Sequence, residues 1–519
     1  MSLSAIKKVI PKIYLTLFLA SMLSPNLIWS QHNGNPLFFQ GLTDPNSVSV
    51  KGSAYGNAFT SRGGDINSLF YNAAGLANIE SFQFSVAANL INYLERDNQY
   101  FYPGNEYLNW SLYMEGLLIP DPAWNGIWSD SLGIISYDSL GNPVGLYWDP
   151  DQIKWPVMSE DDYSKEAADH EETSSSLNLS HISLAYPFKF SGKSFVAALS
   201  YYRQYNINDY DWNGAHLDPH WGTSDIIPGT EGDTTRTNWS VFTRSRTAGI
   251  YSITAALAFQ LNQNLQFGLR LNRSSGDSND EQTLNRIGYF LAKHQLNDWA
   301  FSYDEHRSVT TGTSSFSSTS VNFGALFISE NVNFGFNIQL PSTIEREWTY
   351  STEVRNGVGT TYYDSSGVDR VNMPATYTIG ITLKPVEDLA LSLDYETTRF
   401  DKAEFEQDKN HRDSLTIYTR WVNQTALRFG IEYRINELVN ISAGYQSQTI
   451  PFIPYGAAIR DKGPAGENFS VGVSVNILHG TLDLAYTNYQ LKYYDAYMTN
   501  RNFTLECYNR FALGYTFKL

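Results

Sequence analysis

The chain has 519 residues with 53 acidic and 36 basic side chains, a formal charge of −17, and an aromatic content of 15% that includes 35 Tyr and 29 Phe. This acidic balance excludes the electrostatic footprint of a nucleic-acid binder, and Cys507, the one cysteine, excludes an intramolecular disulfide. No segment after the N-terminal stretch reaches the roughly 18 consecutive apolar residues of a membrane-spanning helix, so a membrane-embedded form of this chain has to be a closed β-barrel.

Residues 1–30 read as an export signal. Lys7, Lys8 and Lys12 precede an apolar run from Ile13 to Leu23, and Pro25 and Ile28-Trp29-Ser30 lead into Gln31. Removing the three lysines takes the charge from −17 to −20. The expected cleavage site has no cysteine, which argues against a lipid-anchored protein. Residues 31–79 carry no long alternating segment. They hold Gly52, Gly56, Gly63, Gly64 and Gly75 among small residues, with an apolar cluster of Leu69, Phe70, Tyr71 and Leu76. Such a segment ahead of the first strand either hangs free or folds into a lumen, and the cluster favours a plug.

From residue 80 onward the pattern is one of alternation. Val332, Phe334, Phe336, Ile338 and Leu340 alternate with Asn331, Asn333, Gly335, Asn337 and Gln339, which gives an extended segment one apolar and one polar face. Leu265 to Asn272, Leu427 to Arg434 and Val471 to Ile477 repeat it. Fourteen strands are predicted, near 80–93, 176–189, 193–206, 246–260, 264–275, 317–329, 331–342, 375–385, 388–401, 424–435, 438–449, 467–478, 480–491 and 508–518. Very short turns at Phe190-Ser191-Gly192, Asn262-Gln263, Glu330, Val386-Glu387, Asn436-Glu437 and His479 alternate with long loops at about 94–175, 207–245, 276–316 and 343–374. Outer-membrane barrels place short turns at the periplasmic end and long loops outside. The predicted fold is therefore an all-β transmembrane antiparallel barrel over 80–519 with a plug, or hatch, over 31–79. The alternation Phe511, Leu513, Tyr515, Phe517, Leu519 suits a closing strand recognised by barrel-assembly machinery.

The segment Gly52-Ser53-Ala54-Tyr55-Gly56-Asn57-Ala58-Phe59, followed by Asp65-Ile66-Asn67-Ser68-Leu69-Phe70-Tyr71-Asn72-Ala73-Ala74-Gly75-Leu76-Ala77, resembles the hatch of the FadL/TodX outer-membrane transporters of long-chain fatty acids and hydrocarbons. Met373-Pro374-Ala375-Thr376-Tyr377, Leu393-Asp394-Tyr395-Glu396, Phe429-Gly430-Ile431-Glu432-Tyr433 and Leu513-Gly514-Tyr515-Thr516-Phe517 continue the likeness. Ala73 departs from it, standing where the family usually has proline. The resemblance implies passive uptake of hydrophobic small molecules such as long-chain fatty acids across the bacterial outer membrane, in contact with its lipid. It implies a pocket above the hatch, for which Phe70, Tyr71, Asn72, Ala73, Gly75 and Leu76 are the candidate ligand-binding residues.

Arg270, Arg428, Glu432, Arg434, Asp394, Glu396 and Asp483 fall on the predicted inward face, so the lumen is not a greasy tube. The 94–175 loop holds Trp110, Trp124, Trp128, Trp148 and Trp155 with Leu117, Leu118, Ile119 and Ile127. Trp124, Trp128 and Trp148 are the further binding candidates; the alternative is that these rings pack on one another as a lid. A second reading of the whole chain is a barrel that binds polypeptide partners in secretion or surface attachment, and a third is a structural or adhesive barrel that stays plugged. His216 and His220, flanked by Gly214, Pro219 and Gly222, are expected in a loop, and the acidic run from Glu160 to Glu172 lacks the spacing of a calcium loop. No metal, cofactor or catalytic motif is expected, since there is no Gly-x-Ser-x-Gly elbow, His-Glu-x-x-His or phosphate loop, and His181 has no partner visible in the sequence.

Overall fold

The computed structural model describes residue 39 and residues 48–101, 136–137, 143–144, 159–207, 209–221, 234–293, 298–408, 421–451, 463–497 and 500–519. The predicted export signal at 1–30 lies outside them. Fourteen crossing strands close into an antiparallel barrel. In chain order they are β1 (Gln83–Phe101), β2 (His170–Phe190), β3 (Lys193–Asn206), β4 (Thr234–Gln260), β5 (Leu265–Lys293), β6 (Asp298–Ile328), β7 (Val332–Gln339), β8 (Thr376–Val386), β9 (Leu389–Thr398), β10 (Gln424–Arg434), β11 (Val439–Thr449), β12 (Ala465–Ile477), β13 (Gly480–Tyr497) and β14 (Asn500–Lys518). Each pairs with its sequence neighbours, and an unbroken ladder from Gln83↔Lys518 to Phe101↔Asn500 joins β1 to β14. No backbone edge is then left to face lipid.

The predicted short turns stand where the alternation lapses. Ser191 and Gly192 (φ 51° and 77°) and Leu478 and His479 (φ 47° and 59°) adopt the left-handed backbone of two-residue hairpins, whose twist matches that of the flanking strands. Near these turns the outward side chains are apolar and exposed: Leu269 and Leu271 on β5, Phe323 and Phe327 on β6, Phe334 and Phe336 on β7, Phe511 and Leu513 on β14. Farther along the same strands the outward face turns polar, with Arg273, Ser275 and Asp277 exposed on β5 and Ser315 and Thr319 on β6. The apolar stretch is the height of the membrane, and the walls continue beyond it.

Three of the predicted loops are in fact strands. Most of 276–316 is the upper part of β5 and β6, paired without interruption from Gly276↔Phe316 to Arg286↔His306. Residues 343–374 form a hairpin of Ser342–Asn356 with Gly359–Met373, and 207–245 contributes Asp209–Trp221 paired with β4. His216 and His220 therefore lie on an extended strand, where four residues span about 13 Å, too far for one metal ion. Within 94–175, β1 runs on to Phe101, Ser136–Tyr137 pairs with Pro143–Val144, and β2 begins at His170. Ser159 caps the short helix Glu160–Tyr163, and Glu171 pairs with Arg96 at 2.6 Å. Among the described residues no group of His, Cys, Asp and Glu is arranged to hold a metal.

Leu269, with 42% of its surface exposed, tests the membrane assignment. Leu269→Arg is expected to cost about 2–4 kcal/mol, the penalty for a guanidinium on the lipid face near midplane. Urea titration of the barrel refolded into lipid vesicles measures it; a change under about 0.5 kcal/mol would remove this position from the bilayer.

Candidate functional site

Residues 48–79 fill the lumen near the short-turn end. Three short helical turns fold this segment, each started by a side chain that accepts from a backbone N–H left open at the helix start: Ser49 before Val50–Ala54, Asp65 before Ile66–Phe70 and Asn72 before Ala73–Asn78. Lys51 and Asp65 tie two of these turns together at 2.9 Å. Ala73, at the position where the resembled family has proline, opens the third turn, with Asn72 accepting from the Ala74 N–H at 3.1 Å. Capping by Asn72 thus sets the bend without a proline.

The plug is fastened to the wall around its girth. The Thr60 N–H donates to Asp394 (2.8 Å), Arg62 to Glu432 (2.6 Å), the Gly56 N–H to Ser470 (3.0 Å), Asn57 to Gln446 (2.6 Å) and the Ile66 N–H to Gln83 (3.0 Å). Asn72 donates to the Ala325 carbonyl at 3.0 Å, and Arg270 donates to the carbonyls of Leu69 and Phe70 at 2.7 and 2.9 Å. Between these bonds the wall is pared down. Gly268, Gly324, Gly335, Gly430, Gly444 and Gly472 all point at the plug, and a methyl group on any of them would collide with Ala73, Asn72, Thr60, Tyr55, Gly56 or Ala54 respectively. Where β2, β3 and β4 meet the plug the wall uses Ala185, Ala198, Ala256 and Ala258, packed on Ile66, Leu69, Ala73 and Leu76.

Directly above the plug lies a cavity of about 290 Å³. Phe70 and Tyr71 form part of its floor; Met373 and Phe400 line its far side. Around its walls stand amides and hydroxyls, Gln204, Asn322, Asn337, Gln339, Gln424 and Gln448 among them. Its charged residues are engaged: Arg428 forms two bonds to Glu396 at 2.8 and 3.1 Å, and Arg270 holds the plug carbonyls. Still farther from the short turns, Phe39, Ile250, Phe316, Ile344, Val371, Met373, Phe400 and Trp421 make an apolar cluster inside the barrel. Above that, Asp280 is gripped by Arg246 (2.9 Å), Ser314 (2.6 Å) and Tyr350 (2.6 Å), while Arg346 bonds Asp369 at 3.1 Å, all fully buried.

Of the residues singled out from the sequence, Phe70 and Tyr71 reach the cavity. Phe70 packs at a tilt on His181 (4.9 Å) and edge-on to Tyr202 (5.2 Å), and Tyr71 donates to Asn57 at 3.0 Å. Asn72, Ala73, Gly75 and Leu76 sit below, within the plug and its seat. Gly75 is a close approach: its carbonyl accepts from the Gly64 N–H at 2.8 Å, and a Cβ there would meet the Arg62 carbonyl at 2.5 Å. Trp124, Trp128 and Trp148 lie outside the described residues. Arg270, Arg428, Asp394, Glu396, Glu432 and Asp483 are inside the barrel, but Arg434 is exposed at the rim, paired with Asp388 and Glu387. His181 does have a partner, the Ser85 hydroxyl at 3.1 Å. Its other ring nitrogen faces the Val48 carbonyl at 3.3 Å and Ser85 also meets Thr516 at 3.0 Å, all sealed beneath Phe70, so the pair tethers plug to wall.

No family model matches the chain, and no curated protein matches it by sequence. Solved structures do match. A Pseudomonas aeruginosa FadL homologue aligns over 92% of this chain and 99% of its own, with a TM-score of 0.58 at 13% identity. The P. putida toluene transporter TodX aligns over 93% and 98% with a TM-score of 0.52 at 12% identity. A TodX variant described as a monoaromatic hydrocarbon channel aligns over 90% and 98% with a TM-score of 0.51 at 13% identity. At this identity the likeness establishes the fold, a FadL-type barrel.

The fitted seat yields a prediction. In Gly444→Val the new side chain runs into the backbone of Gly56, so the plug is expected to shift while the barrel stays closed. Planar-bilayer recordings then show ion-conducting steps absent from the unmodified protein, with heat-modifiable gel migration unchanged. Conductance at the unmodified level would mean that the plug tolerates the intrusion.

Proposed function

We propose that this barrel mediates passive uptake of hydrophobic small molecules across the outer membrane, long-chain fatty acids representing the class. The observation that carries this reading is the cavity against Phe70 and Tyr71, walled on its far side by Met373 and Phe400 at the edge of the apolar cluster. Its volume of about 290 Å³ stands at the lower end of ligand pockets, which run from roughly 300 Å³. The short-turn end is then periplasmic, and the long hairpins collect the solute outside. Phe70 and Tyr71 form the floor against which the solute comes to rest, and farther up Phe400 contacts its apolar body; Asn72, Ala73, Gly75 and Leu76 act indirectly by holding the floor in place. The neighbours described as a toluene transporter and a monoaromatic hydrocarbon channel support a solute with apolar character. Outer-membrane lipid surrounds the band of exposed Leu and Phe, and the alternating β14 serves the assembly machinery.

Mass spectrometry of small molecules extracted from the detergent-purified protein tests this reading, with Phe70→Asp beside it. Burying a carboxylate in the floor strongly disfavours an apolar ligand. A bound molecule with an alkyl or aromatic body is expected in the unmodified protein and a severalfold lower amount in the variant. Equal occupancy in both would separate the ligand from this cavity, and an empty protein would count against the uptake reading.

A further inference from the structure

Hydrophobic ligands are usually held by apolar walls with a few polar groups; here polar residues outnumber apolar ones around the cavity, although Phe70, Tyr71, Met373 and Phe400 keep part of it apolar. Among the described residues, Asn337 and Gln424 are each 8% exposed, line the cavity and make no side-chain hydrogen bond to the protein. Gln448 accepts from Gln446 at 2.6 Å through its Oε1, which leaves its Nε2 open. Thr376, Thr378 and Thr398 stand among them. A wholly apolar ligand would strip water from these amides and leave them unsatisfied, at about 1–3 kcal/mol each.

A carboxylate fits little better. It only accepts hydrogen bonds, whereas each amide presents both a donor and an acceptor. Of the two guanidinium groups beside the cavity, Arg428 is neutralised by Glu396, and Arg270 is turned by one nitrogen, Nη1, toward the carbonyls that close the helix Ile66–Phe70. A hydroxyl both donates and accepts, so a head bearing several hydroxyls can satisfy amide nitrogen and oxygen together.

We propose that the cavity recognises the uncharged, polyhydroxylated head of an amphiphile, with the apolar body directed toward Met373 and Phe400. This rests on the uptake reading above and narrows it from hydrophobic compounds in general to those with a neutral, sugar-like or polyol head. Asn337, Gln424 and Gln448 are the residues that set the preference.

Three eight-carbon probes separate the possibilities: octyl glucoside, octanoate and octane. Their binding is measured by titration calorimetry on the full-length protein in lipid nanodiscs, with empty nanodiscs as the reference for partitioning. Octyl glucoside is expected to bind at least about tenfold more tightly than either of the others. Replacing both amides (Asn337→Leu with Gln424→Leu) is expected to abolish that margin by weakening glucoside binding and tightening octane binding, since octane no longer leaves those amides unpaired. Should octanoate bind the unmodified protein as tightly as the glucoside or more so, the head-group assignment is overturned and Arg270 becomes the site of a carboxylate; octane binding tighter than the glucoside's there overturns it as well. If none of the three binds, it is the uptake reading that falls. The ranking in the unmodified protein decides the matter even if the double variant fails to fold.

Discussion

Everything in this molecule follows from the impossibility of leaving a backbone N–H or C=O unpaired in lipid. The ladder between β1 and β14 removes the last such edge. Closure forces strict alternation along every strand, because side chains have only two directions, lipid or lumen. Leu269, Phe334 and Leu513 go out; Arg270, Asn333 and Ser274 go in. A barrel of this size then encloses a polar interior too wide for its own side chains to fill. The plug is the answer to that void, and its fastening is written in the same currency as the barrel's, backbone groups meeting wall side chains such as Asp394, Ser470 and Arg270.

The seat shows how the wall was shaped to the plug. Polar bonds alone would leave gaps between a round wall and an irregular plug, and unfilled gaps forfeit dispersion contacts. Gly268, Gly324, Gly335, Gly430, Gly444 and Gly472 let the two backbones approach to contact distance. Along β2, β3 and β4, alanines and the apolar faces of Ile66, Leu69 and Leu76 do the same work by packing. The plug is thereby held by polar bonds around its girth, by close backbone approach at these glycines and by apolar burial against β2, β3 and β4.

The legible part of the sequence was the part that crosses the membrane. Val332 to Gln339 announces itself because lipid outside and water inside impose opposite demands on neighbouring residues. Above the bilayer the outward face meets water and much of the inward face is a buried polar network, as Asp277 outside and Asp280 inside show, so both faces read as polar. Residues 308–316, rich in Ser and Thr, carry no amphipathic signal, yet they pair continuously with β5 and with Ser342–Asn356. Backbone pairing propagated from the membrane strands keeps them extended. The plug was legible from its glycines and its Leu69 to Leu76 cluster, but which of those residues would face a cavity was not. That depends on the wall residues opposite them. Asn337 and Gln424 looked like any other inward polar positions, since periodicity reports the face a side chain occupies and not the space in front of it.

The vertical order of the lumen has a consequence for passage. From the long hairpins toward the short turns the barrel holds the buried network of Arg246, Asp280, Arg346 and Asp369, then an apolar cluster, then a polar cavity, then the plug. The charged network holds this stretch of the tall wall in a fixed shape: breaking a pair of this kind leaves an uncompensated buried charge, at about 3–5 kcal/mol. A fixed upper wall places the adaptable steps below it. The apolar cluster and the amide cavity attract opposite parts of a molecule, so an amphiphile spanning the boundary between them satisfies both, while a pure hydrocarbon or a pure sugar satisfies one. Passive conduction requires sites that bind well enough to admit a solute and weakly enough to release it. A small cavity with a few open amides suits that condition, because each hydrogen bond it offers replaces one to water at a net gain of only about 1 kcal/mol.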